Sequence, residues 1–565
     1  MSGRRALTWI VLTLLLSLAA GFACAEAAVP VRVAYTGSMS GDAPKVRFFL
    51  ASPLEANEPF GPDGTEYSRD WLRFECDHTF YKYQQKPGSV TWMIPLSARH
   101  GDIELYLGFD DALGISTAYL NEQPLSASEP VTADLTDTLV LQVANSSLRT
   151  QLRLMFTSLM VVSVSLEDDI GRDSDTPMQL SITDPDYADS GWKTPTFTSD
   201  GVFSTRGLSS SRYPTKHPYK FSVMQNGEKY DVRIAGLRKD SDWILDSAYN
   251  DASRFRNRVG MDLWDEMYRL PWDKTLSGAI GGAPAELYLN GNYKGIFILN
   301  EKQDRKQVGL KKKEKGGTGL LVKSGDSGDL EKSPAGFVSL GTSKPGAYDI
   351  EKWYNVEIKY PKPEDLNSED WTDFYKMTKL VIRGNDAEFA AQIGNYLDLD
   401  NLARYYVLVN ALGLNDNMRK NMTFVRYSGE GRFSQFQLLP WDMDAGFGRT
   451  YTSLKRNPEE PYTNRLFKRL IKGNVGGFNE LVRQTWNRYR QTTFSVEHVM
   501  ALFEGYIGRI SVCGADQRET ALYAKFTSYI SDSYGYTLDF QKELTYLRSA
   551  LTKRWSLCDS YFNGL

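Results

Sequence analysis

Cysteine and histidine are scarce: the 565 residues contain only 4 of each. Three cysteines remain after the predicted export signal, too few for a disulfide scaffold. A bond between Cys513 and Cys558 stays open, with buried free thiols as the alternative. Because the sequence has no C-x-x-C, H-E-x-x-H, G-x-S-x-G or P-loop pattern, we do not expect a zinc protease, a serine hydrolase or a P-loop NTPase.

Excess charge and long apolar runs are also largely missing. The 66 basic and 70 acidic residues give a formal net charge of −4, which argues against nucleic acid as a partner. The apolar run Trp9–Leu18 follows Arg4 and Arg5 and precedes Ala23-Cys24-Ala25. This pattern predicts a cleavable signal peptide over residues 1–25. We therefore expect a secreted or cell-surface protein with no membrane span in the mature chain.

The chain is long enough for two or three domains. Short alternating strands separated by Gly, Asp, Asn and Pro turns run from Val29 to about Ser165, which predicts an antiparallel β-sandwich over 29–165. This accessory domain is expected to bind a glycan or surface ligand, or to be purely structural. A second domain is expected over 166–565, with strands first and helices after them. The predicted elements are a helix at 253–270, a hairpin at Asn290-Gly291, a mobile charged loop at 302–332, a helix at 397–414 and further helices from 466.

The most informative segment runs from Ala411 to Thr450. It predicts a helix ending near Leu414, then two alternating strands, 422–427 and 433–439, joined by a Ser-Gly-Glu-Gly turn. Antiparallel pairing returns the chain to its start, and paired strands lie about 5 Å apart. Asp416 and Asn421 precede the first strand, and Asp442 and Asp444 follow the second. The four side chains are therefore expected at one end of one hairpin.

Oxygen ligands in this arrangement suit phosphoryl transfer. Mg²⁺ takes carboxylate, amide and phosphate oxygens, and catalysis depends mainly on positioning and charge neutralisation. Asp416 and Asn421 reproduce the D-x-x-x-x-N spacing of protein kinases, and Asp442 then stands in the place of the metal-binding Asp. The alternative interpretation is structural, because Asn-Asp-Asn and Asp-x-Asp are common turn compositions.

A second candidate element precedes these motifs. A Gly/Ser-rich turn carries Arg206 and Arg212 and leads to Lys216 and Lys220. Backbone N–H groups in such a turn can bind phosphate, and a strand lysine can reach the nucleotide phosphates. A solvated basic loop is the alternative. Glu301 is a candidate for the segment that connects two lobes, near the adenine. The alternative is that it is only a charged residue on the surface.

Several segments together resemble the CotH kinase family: RGLSSSRYPTKHPYKFSV, LYLNGNYKGIFILNEK, IKYPKPEDL, LNDNMRKN and LPWDMDAGFG, in this order within 180–565. The resemblance implies an atypical protein-kinase-like fold that uses ATP with Mg²⁺ or Mn²⁺ to phosphorylate serines, in bacteria on spore-coat proteins. It implies Asp416 as the catalytic base, Asn421, Asp442 and Asp444 at the metal, and Lys216 or Lys220 at the phosphates. Two acidic residues of the 253–270 helix, Asp265 and Glu266, are candidates to support the lysine.

The expected fold is therefore α+β: an N-terminal all-β sandwich-like domain, then a two-lobed atypical protein-kinase-like domain with a helical C-terminal region. The expected function is ATP-dependent phosphorylation of Ser or Thr in an extracellular or surface protein. One rival is a kinase-like binding or assembly protein with weak or no turnover. The other is a glycoside hydrolase, which needs two carboxylates about 5–5.5 or 6.5–9.5 Å apart across a sugar. Asp442 and Asp444, two apart on one segment, suit a metal better.

Overall fold

The computed structural model describes most of the chain from residue 29 to its end. The described residues are 29–33, 45–51, 73–76, 78–86, 89–97, 103–109, 117–124, 138–144, 149–171, 174–207, 209–213, 215–325, 333–456, 460–527 and 536–565. The predicted signal peptide, residues 1–25, lies outside them. None of the helices in these ranges is long and apolar enough to cross a bilayer.

Two β-sheets make up the N-terminal part of the described chain. Their strands are β1 (Val29–Val33), β2 (Lys45–Ala51), β3 (Arg73–Cys76), β4 (Tyr81–Lys86), β5 (Ser89–Pro95), β6 (Ile103–Phe109), β7 (Thr117–Leu120), β8 (Gln123–Pro124), β9 (Leu139–Ala144) and β10 (Arg149–Thr157). The sheet orders are β1-β6-β2-β3 and β4-β5-β10-β9-β7-β8. The all-antiparallel prediction is wrong in detail, because β2 pairs with β6, and β10 with β5, in parallel.

A closed ring of seven strands follows. Strands β11 to β20 are β11 (Met160–Ser165), β12 (Thr176–Thr183), β13 (Thr196–Thr205), β14 (Tyr219–Gln225), β15 (Glu228–Lys229), β16 (Val232–Arg233), β17 (Lys239–Asp240), β18 (Asp242–Asp246), β19 (Gly282–Leu289) and β20 (Asn292–Glu301). The order β13-β12-β11-β19-β20-β18-β14 closes because β14 also pairs with β13. The predicted domain boundary after residue 165 falls between β11 and β12, which pair in this one barrel.

Alternation along the barrel strands separates its two faces. In β14, Tyr219, Phe221 and Val223 are buried with the apolar interior of the barrel. Lys220 and Ser222 occupy the intervening positions and therefore face outward. The predicted hairpin is confirmed: Asn290 (φ 48°) and Gly291 (φ 72°) join β19 to β20, and positive φ at both residues is what a type I′ turn requires.

A separate five-stranded antiparallel sheet contains the hairpin predicted over residues 422–439. Its strands are β21 (Leu320–Ser324), β22 (Lys352–Trp353), β23 (Val356–Tyr360), β24 (Met422–Arg426) and β25 (Gln437–Pro440), in the order β22-β23-β21-β24-β25. The β24–β25 hairpin is confirmed, although β25 begins later than predicted. The mobile loop predicted at 302–332 is partly wrong, because β21 lies within it and its apolar residues are buried.

The described α-helices begin at residue 256 and continue to residue 563. They are α1 (Arg256–Met267), α2 (Thr372–Arg383), α3 (Asp386–Tyr396), α4 (Leu399–Leu412), α5 (Arg465–Lys472), α6 (Phe478–Tyr489), α7 (Val496–Ser511), α8 (Ala515–Leu522) and α9 (Phe540–Asn563). They share one hydrophobic core with the five-stranded sheet. Cys513 and Cys558 are both buried free thiols, so the disulfide considered from the sequence is not formed.

Candidate active site

The open end of the β24–β25 hairpin brings the predicted site residues together. Met422 pairs with Pro440, and the Trp441 N–H donates to the Asn421 carbonyl oxygen at 3.2 Å. Asn421 and Asp442 therefore flank the last rung of the ladder. The juxtaposition predicted from the alternating strands is present in the backbone pairing.

Asn421 and Asp442 also share an uncommon backbone conformation. Their φ angles are 57° and 56°, in the left-handed region that non-glycine residues seldom occupy. Each such residue costs on the order of 1–3 kcal/mol and persists only where its surroundings fix it. Asn is among the residues that tolerate this region best, so both positions combine a constrained backbone with an oxygen-bearing side chain.

Buried polar contacts hold the loop between α4 and β24. The Asn417 amide donates to the carbonyl oxygens of Asn421 at 3.1 Å and Trp441 at 2.8 Å, which bridges the two sides of the hairpin end. The Tyr405 hydroxyl, from α4, donates to the Asn417 carbonyl at 2.7 Å. Asp416 forms an ion pair with Lys420 at 3.3 Å. The Asp416–Asn421 loop is thus anchored to a buried helix.

Helix α1 supports the other side of the site. The Asn257 side chain accepts a hydrogen bond from the Met443 N–H at 3.1 Å, and Asn250, just before the helix, donates to Asp444 at 2.6 Å. Gly260 permits this approach, because a Cβ there would lie 2.9 Å from the Met443 Cε. The segment 442–444 is therefore set by helix packing as well as by the hairpin.

A cavity of about 760 Å³ opens between the barrel and the five-stranded sheet. Five of the residues predicted from the sequence line it: Arg206, Asp416, Asn421, Asp442 and Asp444. Both basic and acidic side chains line its wall. This is the charge pattern that a polyphosphate with divalent cations requires.

The remaining predicted residues lie elsewhere. Lys216 is buried outside this cavity, where its ammonium donates to Glu519 at 2.6 Å and to the Ile296 carbonyl at 2.5 Å. Lys220 does not line it and reaches Asp175 at 3.8 Å. Arg212 is exposed, and the Glu301 carboxylate accepts the N–H groups of Arg238 and Gly281 at 2.9 Å.

The two acidic candidates on α1 also point away from the cavity. Asp265 accepts a hydrogen bond from Ser277 at 2.5 Å, and Glu266 contacts His498 at 2.7 Å. Neither residue lines the cavity or contacts one of the predicted lysines. The helix contributes to the site through Asn257 and Gly260 instead.

The sequence reasoning missed Lys323, which lines the cavity from β21. β21 pairs with β24, with Lys323 opposite Thr423, and the Lys323 ammonium lies 3.3 Å from the centre of the Trp441 ring. The apolar run Leu320-Leu321-Val322 before it was a possible strand signal. Other charged and amide residues of the cavity that were not among the sequence candidates include Asp246, Asn250, Asn257, Glu357, Lys359, Arg419 and Lys420.

Burial and neighbouring charges shift the pKa values of three residues in the cavity. Asp442 is open to the cavity, yet its removal from bulk water and the neighbouring Asp246 raise its pKa, against the opposing effect of Arg206 and Lys323. Burial and the adjacent Asp442 raise the pKa of Asp444 well above its usual value. Burial and Arg206 lower the pKa of the Lys323 ammonium well below its usual range. Such opposed shifts are typical of functional sites.

Comparison with known proteins places this geometry in a family. The model for "CotH kinase protein" matches residues 203–557, which include every cavity residue named above. The chain belongs to the CotH kinase family. It is also 22% identical over 274 residues to the inner spore coat protein H of Bacillus subtilis (strain 168). That match covers 46% of this chain and 66% of the relative, less than two thirds of its length.

The oxygen donors of the cavity fit the coordination that Mg²⁺ prefers. Within the described residues, no three His, Cys, Asp or Glu side chains are arranged to hold a metal ion. Mg²⁺ needs fewer protein ligands, since it is usually bound through one or two carboxylates together with substrate phosphates and water. Asp442 and the Asn421 amide meet this requirement, and Asp444, which accepts a hydrogen bond from Asn250, is a third oxygen donor on the same wall.

Proposed function

We propose that this protein is a secreted atypical protein kinase that transfers the γ-phosphoryl group of ATP to Ser or Thr hydroxyls of an extracellular or surface protein. The observation that carries the proposal is the convergence of Asp416, Asn421 and Asp442 on one cavity that basic residues also line. Membership of the CotH kinase family supports it.

Asp416 is proposed as the general base. It would accept the proton of the substrate hydroxyl while the hydroxyl oxygen attacks the γ-phosphorus, and ADP leaves. The Lys420 ammonium, 3.3 Å away, orients the Asp416 carboxylate. Asn421 and Asp442, with Asp444 beside them, would hold Mg²⁺ or Mn²⁺. The bound ion would supply neutralisation of charge on the phosphate oxygens.

Lys323 is the proposed phosphate-binding lysine, in place of Lys216 and Lys220. Its ammonium lies over Trp441, the residue that directly precedes Asp442. Lys216 is already engaged by Glu519 in a buried ion pair. Arg206, from the end of the barrel region, lines the same cavity and would add a second cation at the phosphates.

Secretion and the acceptor are part of the proposal. The signal-peptide pattern in residues 1–25 supports export. The relative in Bacillus subtilis is named as a spore coat protein, which makes an assembled surface structure one reasonable place to seek an acceptor.

The proposal is tested by incubating the protein with γ-labelled ATP and Mn²⁺, alone and with secreted proteins as acceptors. Wild type should transfer label to Ser or Thr, and Asp442→Ala and Asp416→Asn should abolish transfer while remaining folded. Asp265→Asn, a carboxylate variant on α1 outside the cavity, is the matched control and should retain transfer. Nucleotide-dependent thermal stabilisation without transfer would instead support a binding or assembly protein. Sugar release that chelators do not affect would support a hydrolase.

A further inference from the structure

Arg419 lies beside the proposed general base and has no part in the proposed phosphate contacts. It lines the cavity in the turn that follows Asp416, and its backbone N–H donates to the Asp416 carbonyl at 3.0 Å. The Ser333 hydroxyl donates to the Arg419 carbonyl at 3.3 Å, and a Cβ on Gly336 would lie 3.1 Å from the Arg419 Cα. The backbone of Arg419 is therefore fixed relative to Asp416, while its side chain is exposed.

A second arginine, Arg456, ends a short hairpin formed by residues 449–456. Arg449 and Lys455 form an antiparallel bridge, and the Arg456 N–H donates to the Gly448 carbonyl at 2.7 Å. The Arg449 guanidinium donates to the buried Glu543 carboxylate at 2.8 Å, which anchors the hairpin in the core. The backbone of Arg456 is thus held by packing, and its side chain is exposed.

Tyr462 shows that Arg456 lies at the Asp416 end of the cavity. Its backbone N–H donates to the Asn410 side chain of α4 at 2.7 Å. Burial raises the pKa of the Tyr462 hydroxyl, the charge of Arg456 lowers it and the charge of Asp416 raises it. Since charges act strongly only over distances of about 10 Å or less, Arg456 and Asp416 both lie near this hydroxyl.

The cations of the proposed phosphate site are a different set. Burial raises the pKa of Asp442, and Arg206 and Lys323 lower it, so these two cations lie near the proposed metal ligand. A general base must lie within hydrogen-bond reach of the proton that it accepts. The acceptor hydroxyl therefore has to approach Asp416, where Arg419 and Arg456 are the neighbouring guanidinium groups.

The protein itself does not neutralise these two guanidinium groups. In the part of the chain that the structure describes, no ion pair or hydrogen bond involves the side chain of Arg419 or Arg456. Asp416 is already paired with Lys420 at 3.3 Å. Arginine binds carboxylate and phosphate groups through two parallel hydrogen bonds, and a local excess of positive charge attracts anionic ligands.

The 449–456 hairpin also presents apolar surface at the mouth of the cavity. Tyr451 lines the cavity and is 48% exposed, and Leu454 is 43% exposed. Large exposed apolar side chains next to a charged site are typical of surfaces that bind another protein. The same hairpin thus offers an apolar contact and a cation to a chain that enters at Asp416.

We propose that Arg419 and Arg456 bind anionic side chains of the acceptor, so that this protein phosphorylates Ser or Thr next to acidic or already phosphorylated residues. The inference rests on the proposed function, because it places the acceptor hydroxyl at Asp416. A carboxylate and a phosphate group share the chemistry that an arginine recognises. The two arginines are determinants of acceptor specificity and not of phosphoryl transfer.

The test measures transfer from γ-labelled ATP with Mn²⁺ to synthetic peptides by the full chain. Each peptide carries one acceptor Ser in a Gly/Ala sequence, flanked on both sides by Ala, Asp, phosphoserine or Lys. The variants Arg419→Gln and Arg456→Gln keep a polar side chain and remove the charge. Arg432→Gln is the matched control, since Arg432 is an exposed arginine at the far turn of the β24–β25 hairpin. Circular dichroism on each variant verifies folding.

Wild type should phosphorylate the Asp and phosphoserine peptides with a lower KM than the Ala peptide, and the Lys peptide least well. Each arginine variant should raise the KM for the Asp peptide about 3- to 10-fold, as expected for one lost contact between charged groups. The kcat and the KM for ATP should stay unchanged, and Arg432→Gln should behave as wild type. A lower KM for only one of the two anionic peptides would identify the preferred anion.

Transfer that is indifferent to peptide charge, or strongest on the Lys peptide, would overturn the acceptor inference alone. An equal rise in the KM for the Ala and Asp peptides would do the same. Where secreted proteins accept label and no peptide does, the Asp peptide should still compete with them, and failure to compete also overturns the inference. Absence of transfer to peptides, to secreted proteins and to the protein itself would overturn the proposed function.

Discussion

Glu543 lies outside the cavity, and its removal should show how much a buried ion pair stabilises the packing beside the site. It lies on α9, and its carboxylate accepts hydrogen bonds from Arg256 and Arg449, all three side chains being less than a tenth exposed. Arg256 also donates to the Gly446 carbonyl at 3.2 Å. Glu543 therefore connects α9 with α1 and with the segment that follows Asp444.

The size of the effect follows from the pKa of Glu543. Burial alone would raise it, but the charges of Arg256 and Arg449 outweigh burial and lower the pKa from 4.5 to about 2. Since one pKa unit corresponds to about 1.4 kcal/mol, the ionised carboxylate contributes about 3 kcal/mol near neutral pH. A lowered folded-state pKa means that this stability is complete above pH 4.5 and is lost as the pH falls toward 2.

Glu543→Gln should therefore lower the free energy of unfolding by about 3 kcal/mol at pH 7 and by only about 1.5 kcal/mol at pH 3. Urea unfolding followed by circular dichroism at 222 nm measures this loss of stability, because the described α-helices, which span residues 256 to 563, give a strong signal at that wavelength. Glu504→Gln is the control: its ion pair with Arg548 is about half exposed and should contribute less than about 1 kcal/mol. A loss below 1 kcal/mol at pH 7, or a loss that does not shrink at pH 3, would refute the reasoning.

Three further outcomes follow from other contacts. Lys323→Met should weaken ATP binding about 10- to 100-fold in calorimetry, whereas Arg212→Met, at an exposed residue that does not line the cavity, should change it less than about 3-fold. Gly260→Val should cost about 1–3 kcal/mol in urea unfolding and also weaken ATP binding, because the new side chain would displace Met443. Dithiothreitol should leave the melting temperature unchanged, since Cys513 and Cys558 are not bonded to each other; a drop of several degrees would contradict this.

The parts of the fold that the sequence predicted well are those specified locally. Asn290-Gly291 specifies a type I′ turn through its own backbone preferences, and the alternation around residues 428–431 specifies the second hairpin. Parallel pairs such as β5 with β10 were not predictable in the same way, because the partners are about 60 residues apart and no turn links them. Closure of the barrel by β13 and β14 likewise depends on the register of several strands.

The site residues divide in the same way: those positioned by one hairpin were predictable, and the one positioned by pairing of distant strands was not. Asp416, Asn421 and Asp442 were predictable because one hairpin determines their separation. The lysine that lines the cavity was not predictable, since Lys216, Lys220 and Lys323 all follow or lie within plausible strands. Only the pairing of β21 with β24 places Lys323 beside the hairpin end. A short apolar run next to a charged, Gly-rich segment did not distinguish a buried strand from a loop.

The strained hairpin end explains why so much buried polar structure surrounds it. Positive φ angles at Asn421 and Asp442 would relax if the loop were free. Asn417 fixes the carbonyls of residues 421 and 441, Asn257 fixes the backbone at 443, and Arg256 fixes it at 446. These restraints come from two elements, the segment after α4 and helix α1, so neither element can shift without loss of the conformation at Asp442. Glu543→Gln, which changes a residue outside the cavity, should therefore weaken ATP binding in calorimetry to the extent that it releases residues 442–446.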